Sequence, residues 1–567
     1  MTSVSSSTSS TSTASSTSSS STSVTTTGTT TSTSIDWNAL ITSAVNAKLT
    51  QATTISTTIT NNEAKVSAYQ KLQTDLSTLS SGLSSLATSV VNSLATNSFA
   101  TRSATVSSTG DVSASSALSM SVSNGAATGD HTLTISQVAT AQKVVGTSQS
   151  SQTSALGYSG TFSLGLGSGS TADITVTSTM SLQDVVDAIN AQTSTTNVQA
   201  SIVQVSSGSY EMVLSGTQDA ADISYSTTSG DDILNKLGVT DSTGAFADVL
   251  QTSQAAKFAL DGISMTRDTN DITDVLTGVT FNLLQATPSG STLNISVGTD
   301  TSQIETAVQN LVTNYNTFRD AVIAQQATAS DGTADSSAVL FGDGTMRDIM
   351  DSLQNALNST VGGLTMADLG LSFNEKNELE LDTSTLSNVL STNLSGVTTL
   401  LSAQTKTSSS QLSVVNTGTS PQSFALDLTV DSSGNLTSAS VGGDSSLFTV
   451  SGTTIIGAAG TAYAGMAFTY SGSTSQSITV TSTQGIATQL YQLSKSYSSS
   501  SGSLQTLITN LTDRDTQLQQ KVDDIDSAAS AYKSQLQTQY AKYQSAISSA
   551  NNTLTYLKAL LNSSSSN

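Results

Sequence analysis

The only imidazole in these 567 residues is His131, and there is no cysteine. Nucleophile–base catalysis usually relies on a histidine close to a hydroxyl or thiol. His131 stands alone in a strand pattern beside a turn, so a role in the turn or at the surface is expected rather than catalysis. Without cysteine there are no disulfides and no thiolate metal sites. No GK[ST] phosphate loop, HExxH pair or GxSxG elbow occurs in the sequence. Gly165, Gly167 and Gly169 alternate but lack the rest of a nucleotide motif, and loop flexibility accounts for them. Asp431 to Asn435 has the residue types of a calcium loop without its ligand spacing, and reads as a hairpin turn. Asp523, Asp524 and Asp526 read as a solvated helix face. The chemistry expected is therefore none: no enzyme, no cofactor, no metal.

What the sequence does hold is a seam. Leu504, Ile508, Leu511, Leu518, Val522, Ile525, Ala529, Tyr532 and Leu536 recur at steps of four and three, with Asp515 as the one polar lapse. One extra step of four reaches Tyr540, and the pattern resumes through Tyr543, Ile547, Ala550, Leu554, Leu557 and Leu561. A stripe with a period of about 3.5 residues is too narrow for one helix to bury and calls for a partner helix. The extra step is a stutter, which locally unwinds a coiled coil. At the other end of the chain, Ile41, Val45, Leu49, Ala52, Ile55 and Ile59 form one stripe. Val66, Tyr69, Leu72, Leu76, Leu79, Leu83, Leu86 and Val90 form a second. Such stripes serve either as core or as a surface for a partner. The Ile41–Ile59 and Tyr540–Leu561 stretches lie beyond the rest of the helical region, and isolated helices of that length are marginal. They are expected to order only in an assembly, as docking surfaces.

Composition narrows the partners. The net charge is −22 and only 10% of residues are charged, so neither nucleic acid nor an anionic membrane is expected as a partner. No apolar run of about 18 residues is present to span a bilayer. Residues 2–34 are almost wholly Ser and Thr and are expected to be disordered, as a linker or as an unfolded export leader, with no ordinary secretory signal.

Between the helical ends the periodicity changes. From Phe99 to Thr299 short β runs alternate with turns, interrupted by one helix behind Ser181 as N-cap. Helix returns after Gly298, where Ser302 and Glu305 offer a capping box. A hairpin is expected from Leu371 to Leu381, then a helix after Asp382, then a further β block near 405–483. The fold class expected is α+β and multidomain: a discontinuous helical coiled-coil leg built from both chain ends, with antiparallel β domains inserted. The boundaries read as 1–34 (leader), 35–60 (docking helix), 61–98 (leg), 99–299 (plate, two β domains), 300–404 (leg), 405–483 (inserted β domain), 484–539 (leg) and 540–567 (terminal helix and tail).

These residues resemble the hook-associated protein type 2 family, the bacterial flagellar filament caps. The strongest stretch runs from Phe258 to Asn316, with Asp261-Gly262, Arg267, Asn270, Ile272, Gly278-Val279-Thr280, Leu283, Asp300 and Tyr315-Asn316. Gly129 to Gln142, Leu182 to Asn190 with Ala200, Phe341-Gly342-Asp343 and Leu379 to Leu390 support it. Three departures stand out: a Ser/Thr leader precedes Asp36, no Pro lies near Lys48-Leu49, and Asn377-Glu378 replaces the Asp-Gly that family members often place in the hairpin. The resemblance implies a homo-oligomeric ring at the flagellar tip that retains exported flagellin. It implies flagellin, the hook–filament junction protein, and the export chaperone and apparatus as partners, with the protein leaving by the flagellar route. Rival readings are another axial component, such as flagellin or a junction protein, and a Ser/Thr-rich adhesin.

Overall fold

The computed structural model describes residues 36–89, 92–418 and 422–564. The Ser/Thr leader, Val90 of the second stripe and the last three residues of the tail lie outside them. The chain forms two compact units, Met1–Glu63 with Leu511–Asn567, and Ala64–Asn510.

The first unit is a helix pair. The opening helix, Trp37–Ala87, begins at Asp36, whose carboxylate accepts from the Ala39 N–H at 3.0 Å. It continues without a break past residue 60, and the division between the two units falls within it, after Glu63. The closing helix, Ser503–Ser564, runs antiparallel to it. Trp37 stacks on Tyr540, Lys48 sits over the Tyr532 ring and Asn62 bonds Asp515, so 25 residues along one helix (37 to 62) match 25 back along the other (540 to 515). Ile41 and Ala52 on one side, and Val522, Ala529 and Leu536 on the other, are buried along this seam.

The second unit holds the sheets and the remaining helices. A five-stranded antiparallel sheet in the order 102–109, 292–299, 129–137, 256–260, 263–267 shares one core with a three-stranded sheet of 118–122, 279–283 and 271–276. Leu133, Ile135, Phe258, Phe281 and Ile295 fill that core. Between residues 137 and 256 the chain builds a second core from two more sheets and the helix Leu182–Asn190, around Phe162, Leu164, Val185, Ile189 and Leu214. Ser181 and Asp184 cap that helix reciprocally.

Strands from Gln404 to Thr483 form a third β core, a pair of four-stranded sheets around Leu426, Phe468 and Val480. Its two ends leave the helical region side by side, with the Gly485 N–H donating to the Ser402 carbonyl at 3.1 Å. A Cβ on Gly485 would lie 2.2 Å from the Leu401 carbonyl carbon, so this neck admits only glycine without a backbone shift.

The helices of this unit bury Leu72, Leu76, Leu79 and Leu83 together with Ile304, Leu311, Phe318, Ile349 and Leu353. One cap differs from expectation. Helix Thr301–Ala324 is capped by Asp300, whose carboxylate accepts from the Ser302 N–H at 3.1 Å, rather than by a Ser302–Glu305 box. The aspartate side chain reaches that N–H one residue earlier, so the helix starts at Thr301 and Ser302 lies inside it.

Candidate functional site: the uncovered stripe and the motif residues

The expected docking residues fall into two environments. Ile41, Val45, Leu49, Ile55 and Ile59 lie along the stretch of the opening helix that meets the closing helix, and each is at least half-buried. Tyr540 belongs with them, its ring centroid 4.8 Å from that of Trp37. Past Tyr540 the opening helix ends and the seam stands uncovered: Tyr543, Ile547, Leu554 and Leu557 are 55, 48, 52 and 52% exposed, and Leu561, nearer the end of the helix, is 67% exposed. Stripe periodicity cannot show where one helix outruns the other. After Asp526 this helix carries Lys533, Lys542 and Lys558 and no acidic residue, although the chain as a whole is acidic.

The motif residues have structural tasks. Asp261 and Gly262 form the two-residue turn between strands Ala256–Leu260 and Ile263–Arg267, with φ of +51° and +82°. Positive φ at both positions is what a right-twisted hairpin turn demands, and Asp-Gly supplies it. The Asp261 carboxylate accepts from the Thr132 N–H at 2.8 Å and pairs with His131 Nδ1 at 2.7 Å. The His131 bond, then the Thr132 N–H, hold the Asp261 carboxyl below the usual carboxylate range. The lone histidine thus latches a turn. Arg267 pairs with Asp274 at 2.9 Å and lowers its pKa. Gly278 turns the chain into the strand that begins at the buried Val279.

Three asparagines from the resemblance share one device. Asn270 accepts from the Ala139 N–H at 2.8 Å and donates to the Ala139 carbonyl at 2.9 Å. Asn316 does the same to Leu379, at 2.9 Å for both bonds, and Asn190 to Ala200, at 2.8 and 2.9 Å. Each amide replaces a missing strand partner for one residue, satisfying an N–H and a C=O together. Asn316 follows the fully buried Tyr315 on its helix and secures the hairpin Leu371–Leu381. In that hairpin Asn377 adopts φ of +59°, taking the left-handed position. Asp343 caps helix Gly344–Leu357 and accepts the Tyr69 hydroxyl; burial first, then Asp343, push the Tyr69 phenol up.

Sequence reasoning missed two polar contacts. The Asn92 amide donates to the Thr417 hydroxyl at 3.0 Å and accepts from the Thr417 N–H at 3.1 Å, and no local pattern announces it. Asn62 donates to Asp515 at 2.6 Å, and the lapse at Asp515 was its signal. Among the described residues no cluster of His, Cys, Asp or Glu could hold a metal, and no helix is long and apolar enough to cross a membrane.

Comparison with known proteins gives the lineage. Residues 33–142 match the family model of the flagellar hook-associated protein 2 N-terminus, residues 161–218 the flagellin hook IN motif, and residues 253–552 the flagellar hook-associated protein 2 C-terminus. The B-type flagellar hook-associated protein 2 of Pseudomonas aeruginosa is 25% identical over 306 residues, which is 51% of this chain and 64% of the relative. The flagellar hook-associated protein 2 of Escherichia coli K12 is 26% identical over 311 residues, 52% of this chain and 66% of the relative. The chain thus spans just under two thirds of the length of these relatives. A crystal structure of the flagellar cap protein FliD D1-D2-D3 domains from Escherichia coli is 20% identical, covers 78% of this chain and 99% of its own, and has a TM-score of 0.48. Since the C-terminal family model alone takes in more than half of the 567 residues, the chain belongs to the flagellar hook-associated protein 2 family.

Proposed function

We propose that this protein is the structural cap at the distal tip of a bacterial flagellar filament, retaining exported flagellin and promoting its ordered polymerisation. The observation that carries this reading is the uncovered seam from Tyr543 to Leu557, on the closing helix of a chain from this family. An apolar stripe of that length in water favours a second helix along it, and flagellin is the helix-bearing partner that the resemblance implies. The β cores would form the plate of a homo-oligomeric ring, and the paired helices its leg. Confinement and transient docking do the work, so the reading requires no covalent chemistry. The export apparatus and its chaperone would deliver the subunit outside the cell, with the hook–filament junction protein as its first support.

A clean deletion strain tests it. Hooks and basal bodies should remain, filaments should be absent, and monomeric flagellin should accumulate in the medium. Filaments of normal length in that strain would sink the reading.

A further inference from the structure

The seam between the opening and closing helices carries one polar pair. Asp515 interrupts an otherwise apolar heptad, and the Asn62 amide donates to its Oδ1 at 2.6 Å. Asn62 is only 7% exposed, so its amide has exchanged water for that single partner. We propose that the Asn62–Asp515 pair fixes the register of this antiparallel helix pair, and so fixes where the uncovered apolar stripe begins.

The rest of the seam is repetitive. A slip of one heptad would set Asn62 against Val522 or Ile508, and Asp515 against Tyr69 or Ile55. In the second case both polar groups would lie in an apolar seam without a partner, and in the first Asn62 would, Tyr69 alone offering Asp515 a hydroxyl; aliphatic residues exchange for one another at little cost. The opening helix offers weak resistance of its own. The hydroxyls of Thr50, Thr53, Thr54, Thr57, Thr58 and Thr60 bond the carbonyl four residues back, which bends and slightly destabilises a helix. At the far end the native register seats Trp37 on Tyr540. A one-heptad slip would carry it to Ile547 or Lys533, changing how much of the stripe is covered. The consequence for docking rests on the proposed cap function; the register does not.

The full chain can be tested directly, because it has no cysteine of its own. Bridged by a short bismaleimide, the pair Lys48→Cys/Tyr532→Cys reports the native register, since these two side chains meet across the seam with the Lys48 ammonium 4.8 Å from the Tyr532 ring centroid. The pairs Lys48→Cys/Gln539→Cys and Lys48→Cys/Ile525→Cys report slips of one heptad in the two directions, and either counts as the slipped pair. In the wild-type background, and in the exchanged Asn62→Asp/Asp515→Asn background, only the native pair should cross-link. In the Asn62→Leu/Asp515→Leu background the slipped pair should rise at least tenfold, and the Trp37 fluorescence decay should split into two environments. A native-only cross-link with a wild-type decay in that apolar background would overturn the proposal. Should that background lose helix, Asp515→Leu alone decides by the same cross-links, and a native-only result again overturns it. Slipped cross-links with normal flagellin retention would leave the register lock standing and count against the docking consequence.

Discussion

The Trp37 indole lies against the Tyr540 ring, with centroids 4.8 Å apart and planes inclined by 30°. Tyr540 is also the stutter position, where the heptad takes its extra step, and its ring lies 6.2 Å from that of Tyr543. The stack closes the covered seam at the point where the uncovered one begins. Because Trp37 is the only tryptophan, it reports on this junction alone. Tyr540→Ala should shift its emission to the red and weaken the helix pair by about 1 kcal/mol, the usual worth of an aromatic pair. Tyr540→Phe should preserve both. Urea titration followed by tryptophan emission measures them, and an unchanged Tyr540→Ala spectrum would refute the stack.

Asn270 ties the crossover at Ala139 to the strand that begins at Asp271. Asn270→Ala removes both bonds and leaves the N–H and C=O of buried Ala139 without their partner. A cost of about 1–3 kcal/mol is expected for such groups. Asn270→Asp keeps the acceptor but turns a carboxylate oxygen on the Ala139 carbonyl and on the Asp219 carboxylate, which lies 3.4 Å from the Asn270 amide nitrogen, so its cost should exceed that of Asn270→Ala. Chemical denaturation of the three proteins ranks them; equal midpoints would show that water replaces the amide at no cost.

Which parts of this arrangement were legible beforehand follows from what sequence encodes. Asp261-Gly262 stands in the sequence as part of the family motif, and a pair that takes positive φ twice in succession carries the signal of the turn that the structure shows there. Ser181 announces its helix by a local hydrogen bond to Asp184. Period alone, however, says that Ile41 to Ile59 need a cover, not which helix supplies it. Two stripes, one ending at Ile59 and one starting at Val66, separate residues 35–60 from 61–98, and a change of stripe does not show whether the helix beneath it continues. Ser302 and Asp300 both suit a cap, and only the geometry chooses Asp300. Asn62 and Asp515 are 453 residues apart, so no local pattern could join them.

Acid should act through the helix caps. The Asp382 carboxyl caps helix Thr383–Thr392 and is held down from 3.8 to about 2, first by the Ser384 hydroxyl, then by the Thr385 hydroxyl and the two N–H groups. A carboxyl depressed in the folded state contributes stability that is present above its unfolded pKa, here 3.8, and is lost as pH falls through the folded value. Stability should therefore decline between about pH 4 and pH 2. Asp382→Asn keeps a neutral acceptor and should make that acid limb shallower, leaving the slope contributed by the other aspartates lowered in the same direction, Asp184, Asp241, Asp368 and Asp431 among them. Urea midpoints across that range decide it, and identical limbs in the two proteins would contradict the cap argument.

Removing residues 1–63 and 511–567 deletes the helix pair and leaves the compact unit Ala64–Asn510 with its own cores. That fragment should keep the sheet signal in circular dichroism and unfold with the same midpoint as the parent's β cores. Loss of its near-ultraviolet signal would show that the helix pair supports the rest of the fold.

The last prediction concerns Leu554 and Leu557, each 52% exposed on the overhanging helix. An aspartate placed on an already exposed site costs the subunit little, because its charge stays in water. The same aspartate inside a helix–helix seam must be desolvated without a partner, at a cost of several kcal/mol. Leu554→Asp/Leu557→Asp should therefore leave subunit melting and secretion unchanged, while filaments become short or absent and flagellin leaks into the medium. A marked fall in subunit melting temperature would place both leucines in an internal core. Normal filaments with unchanged melting would mean that the stripe meets no partner, and the docking surface would have to be sought elsewhere on the chain.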